Sequence, residues 1–230
     1  LKDTNQIMLE RIIITTTEGS KTLHIPEWNE CYHSQHGILQ EASHVFLAQG
    51  FDQIDSDVFS ILEMGFGTGL NAFLTCYKAQ EENKKITYFT LEKYPVEEKE
   101  LRELEYWKLI NKGNAEETYF NLHQAPWGEL TEINENFSIM KYNSDFFELM
   151  NLPVSSIDLV YYDAFGARVQ PELWENEIFS QLYGTMSEGA LLTTYSSKGS
   201  ARRAMQHAGF KVEKKEGPKG KREMVNAWKI

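Results

Sequence analysis

The stretch ILEMGFGTGLNAFL, Ile61–Leu74, sets three glycines directly between a short apolar run and an amphipathic one. The apolar run before them reads as a buried strand. The residues after them read as a helix packed on a sheet, because Phe73, Leu74 and Tyr77 share one face. Gly65, Gly67 and Gly69 then form a tight strand-to-helix turn whose missing side chains let a ligand lie against the backbone. Two common phosphate binders do not fit. A GxGxxG dinucleotide fingerprint needs glycine where Leu70 stands, and a Walker-type loop needs a Gly-Lys-Ser/Thr ending that GFGTGLN lacks.

Outward from this turn, strand-length apolar runs alternate with helix-patterned stretches from about Phe59 to Gly209, the signature of βαβ units. Strands are expected at Ile61–Met64, Ile86–Leu91, Phe137–Tyr142, Ile157–Tyr162, Ala190–Tyr195, Lys211–Lys214 and Glu223–Trp228. The last two, joined by EGPKGKR, form an antiparallel hairpin. The expected fold is α/β, a mostly parallel seven-stranded sheet ending in that hairpin, over residues 59–230. Residues 1–58 read as an extension packed on it, over its ligand edge. IMLERIIITTTEGSKTLHI is a β-hairpin with its turn near Glu18–Lys21. HGILQEASHVFLAQG is a helix with Ile38, Ala42, Val45 and Phe46 on one stripe and Gly50 as its C-terminal cap.

With 230 residues, 41% of them hydrophobic, the chain can bury one substantial core. No window resembles a membrane span or a secretory signal, and Cys31 and Cys76 form no CxxC pair, so a reducing, cytoplasmic setting is expected. The net charge of −11 argues at first against a nucleic-acid partner. Its distribution does not: Ser196–Ile230 holds ten Lys or Arg against three Glu, a net +7 on a body of −18. Such a basic end is either an anion-binding patch or a solvated hairpin.

Carboxylates at successive strand ends sharpen the ligand. Glu92 ends the strand after the glycine turn, where it can accept hydrogen bonds from a ribose diol. Asp145 follows the third strand, placed either to accept from an adenine amino group or to cap FFELM. Glu63, just before the turn, is placed to engage an amine-bearing part of the ligand. Asn71 completes the expected cofactor set. Glycines and carboxylates without a pyrophosphate loop point to S-adenosylmethionine. Asp163, directly after the fourth strand in LVYYDAFGARVQPELW, is the leading reacting-site residue and a further cofactor contact; its structural alternative is to brace the loop while Phe165 and Trp174 pack in the core. The spacing of Cys31, His33 and His36 matches no standard zinc pattern, so no metal is expected. Glu41 and His44 on the following helix either line the site or serve the fold.

EMGFGTGLN, YYDAFGARVQPELW and YHSQHGILQEASHVFL, with APWGEL and EGALLTTYSS, resemble the methyltransferase domain of MnmC-type enzymes, from about Tyr32 to Trp228. The resemblance implies a Rossmann-like class I fold and methyl transfer from S-adenosyl-L-methionine to 5-aminomethyl-2-thiouridine at the tRNA wobble position. It puts Glu63, Gly65, Gly67 and Gly69 on the cofactor turn, Glu92 on the ribose, Asp145 on the adenine side and Asp163 on the Asp-Ala/Gly-Phe aspartate. Ala167 and Gln170 depart from the family's Asp-Ala-Phe-Ala/Ser-Pro and Asn-Pro pattern. The expectation is a stand-alone form, without the flavin-dependent oxidase of bifunctional members, served by a separate enzyme that supplies the aminomethyl intermediate. The implied partner is the tRNA anticodon stem-loop, not DNA or a membrane. Phe165 is placed to stack on a splayed uridine, and Lys198, Arg202 and Arg203 to meet its phosphates. Two other readings remain open from the residues alone: a methyltransferase for a small amine or a protein, and a noncatalytic RNA-binding protein on the same fold.

Overall fold

A computed structural model describes residues 9–34 and 37–230. Its centre is an eight-stranded sheet. In chain order the strands are β4 (Val58–Met64), β5 (Lys85–Leu91), β6 (Thr131–Asn134), β7 (Phe137–Tyr142), β8 (Ile157–Tyr162), β9 (Met186–Thr194), β10 (Lys211–Glu216) and β11 (Glu223–Trp228). Side by side they run β10-β11-β9-β8-β4-β5-β7-β6. The five from β9 to β7 are parallel, while β6, β11 and β10 are antiparallel to their neighbours.

Both faces of the parallel strands are covered, which is why they read as near-continuous apolar runs. Along β8 the side chains alternate between two cores. Leu159 and Tyr161 pack with α2 (Leu70–Glu82) and α4 (Ala115–Gln124) on one face. Val160 and Tyr162 pack with α5 (Asn176–Thr185) and α6 (Gly199–Ala208) on the other. Residue period two thus converts one hydrophobic run into two cores.

Three expectations need correction. The sheet has eight strands and not seven, because β6 adds an antiparallel edge. Its sequence, TEIN, shows no apolar alternation, and its pairing with β7 is interrupted by a register shift between Glu132 and Asn134. Before the main sheet, β1 (Ile12–Thr15) and β2 (Lys21–Ile25) form the expected hairpin, but β3 (Glu30–Cys31) adds a third strand to it. Ile7 and Met8, included in the expected hairpin, lie outside the described residues. The helix that follows is α1 (Ile38–Ala42) running into a π-helical turn, Ser43–Ala48. Gly50 is not a left-handed cap, since its φ is −117°. A Cβ there would stand 2.5 Å from the Phe46 carbonyl oxygen and 2.9 Å from the Thr193 methyl, so close packing on β9 explains the glycine. No described helix is long and apolar enough to cross a membrane.

Candidate functional site

A cleft opens at the carboxyl ends of β4 and β8, where strand order reverses: the sheet continues from β4 through β5 on one side and through β8 on the other. Loops leaving two such strands diverge, which makes this switch point the ligand site of open α/β sheets. The cleft measures about 1460 Å³. That exceeds the roughly 300–1000 Å³ of one small-molecule pocket and leaves room for two ligands.

Its floor is the glycine turn. Gly65, Gly67 and Gly69 have φ of +100°, +49° and +71°, all in the left-handed region. A Cβ on Gly65 would stand 3.2 Å from the Asp163 carbonyl oxygen, one on Gly67 3.2 Å from the Tyr32 ring, and one on Gly69 2.6 Å from His123 Nε2. The β8 loop, the N-terminal extension and α4 therefore each press on one glycine. Thr68 ties the turn down. Its carbonyl accepts from the Tyr119 hydroxyl at 2.8 Å and His123 Nε2 at 3.1 Å, and its hydroxyl lies 2.7 Å from His33 Nε2. Burial pushes His33 down to about 4, and burial reinforced by Lys141 pushes His123 down to about 3, so both rings are neutral near pH 7. Lys141, 1% exposed, donates to the His123 carbonyl and lies 4.7 Å from the Trp127 ring centroid; burial pushes its ammonium down to about 8.

At one end of the cleft, Glu92 accepts from the Gly67 amide at 2.9 Å through one oxygen and from the Tyr94 amide at 2.7 Å through the other. A carboxylate has about four lone-pair sites, so this one retains acceptor capacity facing the cleft. Burial raises its pKa. Asp145 also lines this end, pairs with Lys93 at 2.6 Å, and accepts from the Phe147 amide as the N-cap of a 3₁₀ turn.

Toward the other end stands Asp163. Asn71 Nδ2 donates to it at 2.8 Å and to Glu63 at 3.0 Å, which leaves Asn71 Oδ1 buried without a partner among the described residues. Burial pushes the Asp163 carboxyl up to about 7, with a contribution from the negative charge of Glu41 that Asn71 and Lys221 oppose. Glu63 does not reach the cleft as expected. It is 0% exposed, lies behind Asn71, and burial beside Asp163 raises its pKa well above the carboxylate range. Its link to the site runs through Asn71.

Phe165 lines the cleft with its ring edge-on to Trp28 at 5.3 Å and Tyr32 at 5.1 Å, both from the extension. Of the two helix residues weighed, Glu41 lines the cleft and pairs with Lys221 at 2.7 Å, whereas His44 bonds the Glu216 carbonyl in a separate hollow. Lys198, Arg202 and Arg203 begin α6, after β9 at the same edge of the sheet, outside the cleft lining. The basic segment is less bare than its sequence: Lys211, Lys214, Lys215, Lys219, Lys221 and Lys229 each pair with a glutamate. Among the described residues, Lys198, Arg202, Arg203 and Arg222 form no ion pair. His36 lies outside the described residues, and no described group of three His, Cys, Asp or Glu is placed to hold a metal ion.

Comparison with known proteins bears on this geometry. Residues 129–230 match the family model of S-adenosyl-L-methionine-dependent methyltransferases. A curated relative from Burkholderia thailandensis, the tRNA 5-methylaminomethyl-2-thiouridine biosynthesis bifunctional protein MnmC, is 30% identical over 95% of this chain and 35% of its own. Its counterpart from Methylobacillus flagellatus is 28% identical over 86% and 32%. The crystal structure of MnmC2 from Aquifex aeolicus superposes with a TM-score of 0.76 at 26% identity, over 97% of this chain and 72% of that one. Over most of its length the chain is thus similar to MnmC-type proteins, and its residues 129–230 match S-adenosyl-L-methionine-dependent methyltransferases. It spans about a third of the length of the curated MnmC relatives it matches.

The residues of this site fit S-adenosyl-L-methionine. The turn offers backbone bare of side chains, Glu92 keeps acceptor sites for a diol, and Asn71 Oδ1, without a partner among the described residues, is a buried acceptor two residues after the turn. The sequence brings out the glycines, Asn71, Glu92 and Asp163. It does not bring out Tyr32, Thr68, Tyr119, His123 or Lys141, which support the turn from segments up to 109 residues distant from one another in sequence. No spacing signals them, because each acts through a tertiary contact.

Proposed function

We propose that this chain N-methylates 5-aminomethyl-2-thiouridine at the tRNA wobble position, giving 5-methylaminomethyl-2-thiouridine. The observation that carries the reading is Asp163, a carboxylate fixed by Asn71 at 2.8 Å beside the glycine turn, in a cleft with room for a second ligand. The relatives are named for biosynthesis of that nucleoside. The reading brings with it a cytoplasmic setting and a separate activity that supplies the aminomethyl group.

In this scheme S-adenosyl-L-methionine supplies, when bound, a methyl group carried on a cationic sulfur. Gly65, Gly67 and Gly69 would receive it against bare backbone, Glu92 would accept from its ribose, Asp145 from its adenine, and Asn71 Oδ1 from its amino group. Asn71 Nδ2 fixes one oxygen of Asp163 and leaves the other for the acceptor. An alkylamine arrives mainly as the ammonium, which has no lone pair to donate. Asp163 would take one proton from it, leaving a neutral amine with the lone pair that methyl transfer needs. Transfer of the methyl to that amine would release S-adenosyl-L-homocysteine. The product is a secondary ammonium, and the proton on Asp163 returns to water. Phe165 stacks on the base, while Lys198, Arg202 and Arg203 contact phosphates of the anticodon stem-loop, with Arg222 on the same basic segment. Nucleoside analysis of tRNA bearing the aminomethyl nucleoside, after incubation with the chain and cofactor, tests this. One added methyl at that nucleoside is expected; methylation elsewhere, or none with cofactor bound, overturns it.

A further inference from the structure

The acceptor end of the cleft is closed by four segments far apart in sequence. Glu41 comes from α1, Asp163 from the β8 loop, Tyr195 from directly after β9, and Lys221 from the turn between β10 and β11. The Tyr195 hydroxyl donates to the Ala164 carbonyl at 2.8 Å, next to Asp163, and Lys221 Nζ lies 4.1 Å from the Tyr195 ring centroid. Glu41 and Asp163 thus face the same end of the cleft. Two carboxylates in a partly dry site repel unless a cation joins them. In the ligand-free chain Lys221 is that cation, 2.7 Å from Glu41. The partners differ in burial: the Glu41 side chain is 16% exposed and that of Lys221 36%. Glu41 is held in the cleft wall, while Lys221 rides on a flexible stem in a turn that also carries Lys219 and Arg222.

We infer that Glu41 is an acceptor-specificity residue: its carboxylate receives the primary ammonium of the substrate in place of Lys221, and turns away amines that carry a carboxylate of their own. This rests on the proposed methylation of an aminomethyl nucleoside. The exchange replaces one ammonium with another, so Glu41 is never left buried and unpaired, a state that costs far more than the pair itself contributes. A hydroxymethyl group offers no such replacement, and a carboxylate meets two like charges. Lys221, once released, is free to meet a phosphate of the same polynucleotide. Asp163 then takes the proton from an ammonium that Glu41 has positioned.

The test is calorimetric titration of the cofactor-loaded chain with three nucleosides: 5-aminomethyluridine, 5-hydroxymethyluridine and 5-carboxymethylaminomethyluridine. The wild type is expected to prefer the first by about tenfold or more, the order of one charge-assisted hydrogen bond. Glu41→Gln should bring all three within about threefold of one another, with cofactor affinity unchanged as the check on folding. Lys221→Met should act in the opposite direction, tightening 5-aminomethyluridine while weakening a stem-loop RNA. A salt bridge serving only as a strut would make both variants weaken the nucleoside alike, and that result overturns the inference, as does a preference that survives in Glu41→Gln. The functional reading fails separately: a Glu41-dependent preference in a chain that transfers no methyl to RNA retires the RNA acceptor and keeps the amine site.

Discussion

The two ends of the cleft are built by opposite means. The cofactor end is a contiguous turn, Gly65 to Gly69, whose backbone makes the surface and whose Thr68 is held by Tyr119 and by two histidines kept uncharged by burial. The acceptor end is assembled from positions 41, 163, 195 and 221 and is made of charge. A backbone surface demands glycine at fixed spacing, so it leaves a motif. A charged wall gathered from four segments demands only that they meet, so apart from Asp163 in its own loop it leaves none.

The sharpest way to break this contrast is to strike one end and read the other. Asp163→Ala should lower turnover by about 10²–10⁴-fold, the range of a lost acid–base group, with cofactor affinity within about threefold of wild type. Wild-type turnover in that variant would remove Asp163 from the reaction. Gly69→Ala should do the reverse and weaken cofactor binding by about tenfold. The left-handed backbone costs a residue with a Cβ roughly 1–2 kcal/mol, and the new methyl would collide with His123. Equal effects on cofactor and acceptor binding would deny that the ends are separable.

Proton titration sharpens the contrast further. In the proposed mechanism Asp163 acts ionised, so kcat/KM should rise with pH through about 7 and then level off. Stability at the acceptor end runs the other way. The folded-state pKa is raised above the usual 3.8, so the folded chain holds a proton that the unfolded chain has released, and stability falls as pH rises from about 4 to about 7. His123 is lowered from 6.5 to about 3, so the cofactor end loses stability as pH falls through that window. Asp163→Asn should therefore raise Tm at pH 8 and change it little at pH 4, as thermal melts would show. A Tm increment equal at both pH values would contradict the assignment.

The smallest expected effect lies outside the cleft. Changing Arg202 and Arg203 together to Ala should reduce the slope of log affinity for tRNA against log salt by about 1–2, with nucleoside binding untouched. A steep salt dependence that survives the change would move the phosphate contacts elsewhere.

The legible parts of the molecule follow the same division. Phe137–Tyr142, Ile157–Tyr162 and Glu223–Trp228 are strands at the residues expected, because burial on the sheet imposes an apolar pattern with sharp polar ends. Thr131–Asn134 was not legible: an edge strand buries little, so TEIN carries no pattern. Glu63 shows the limit from the other side. Its place beside the glycines pointed to the ligand, but the alternation of β4 and the packing of Asn71 put it behind the wall. Lys221 was visible only as one charge in a basic segment, since its partner stands 180 residues earlier in the chain.

The most direct test compares two anticodon stem-loops that differ only at the wobble uridine, one carrying the 5-aminomethyl group and one unmodified, as acceptors of labelled methyl from S-adenosyl-L-methionine. Label should enter the aminomethyl RNA alone and be recovered as the methylaminomethyl nucleoside. Label in both, or in neither while cofactor binds, would contradict an acceptor end built to read an amine.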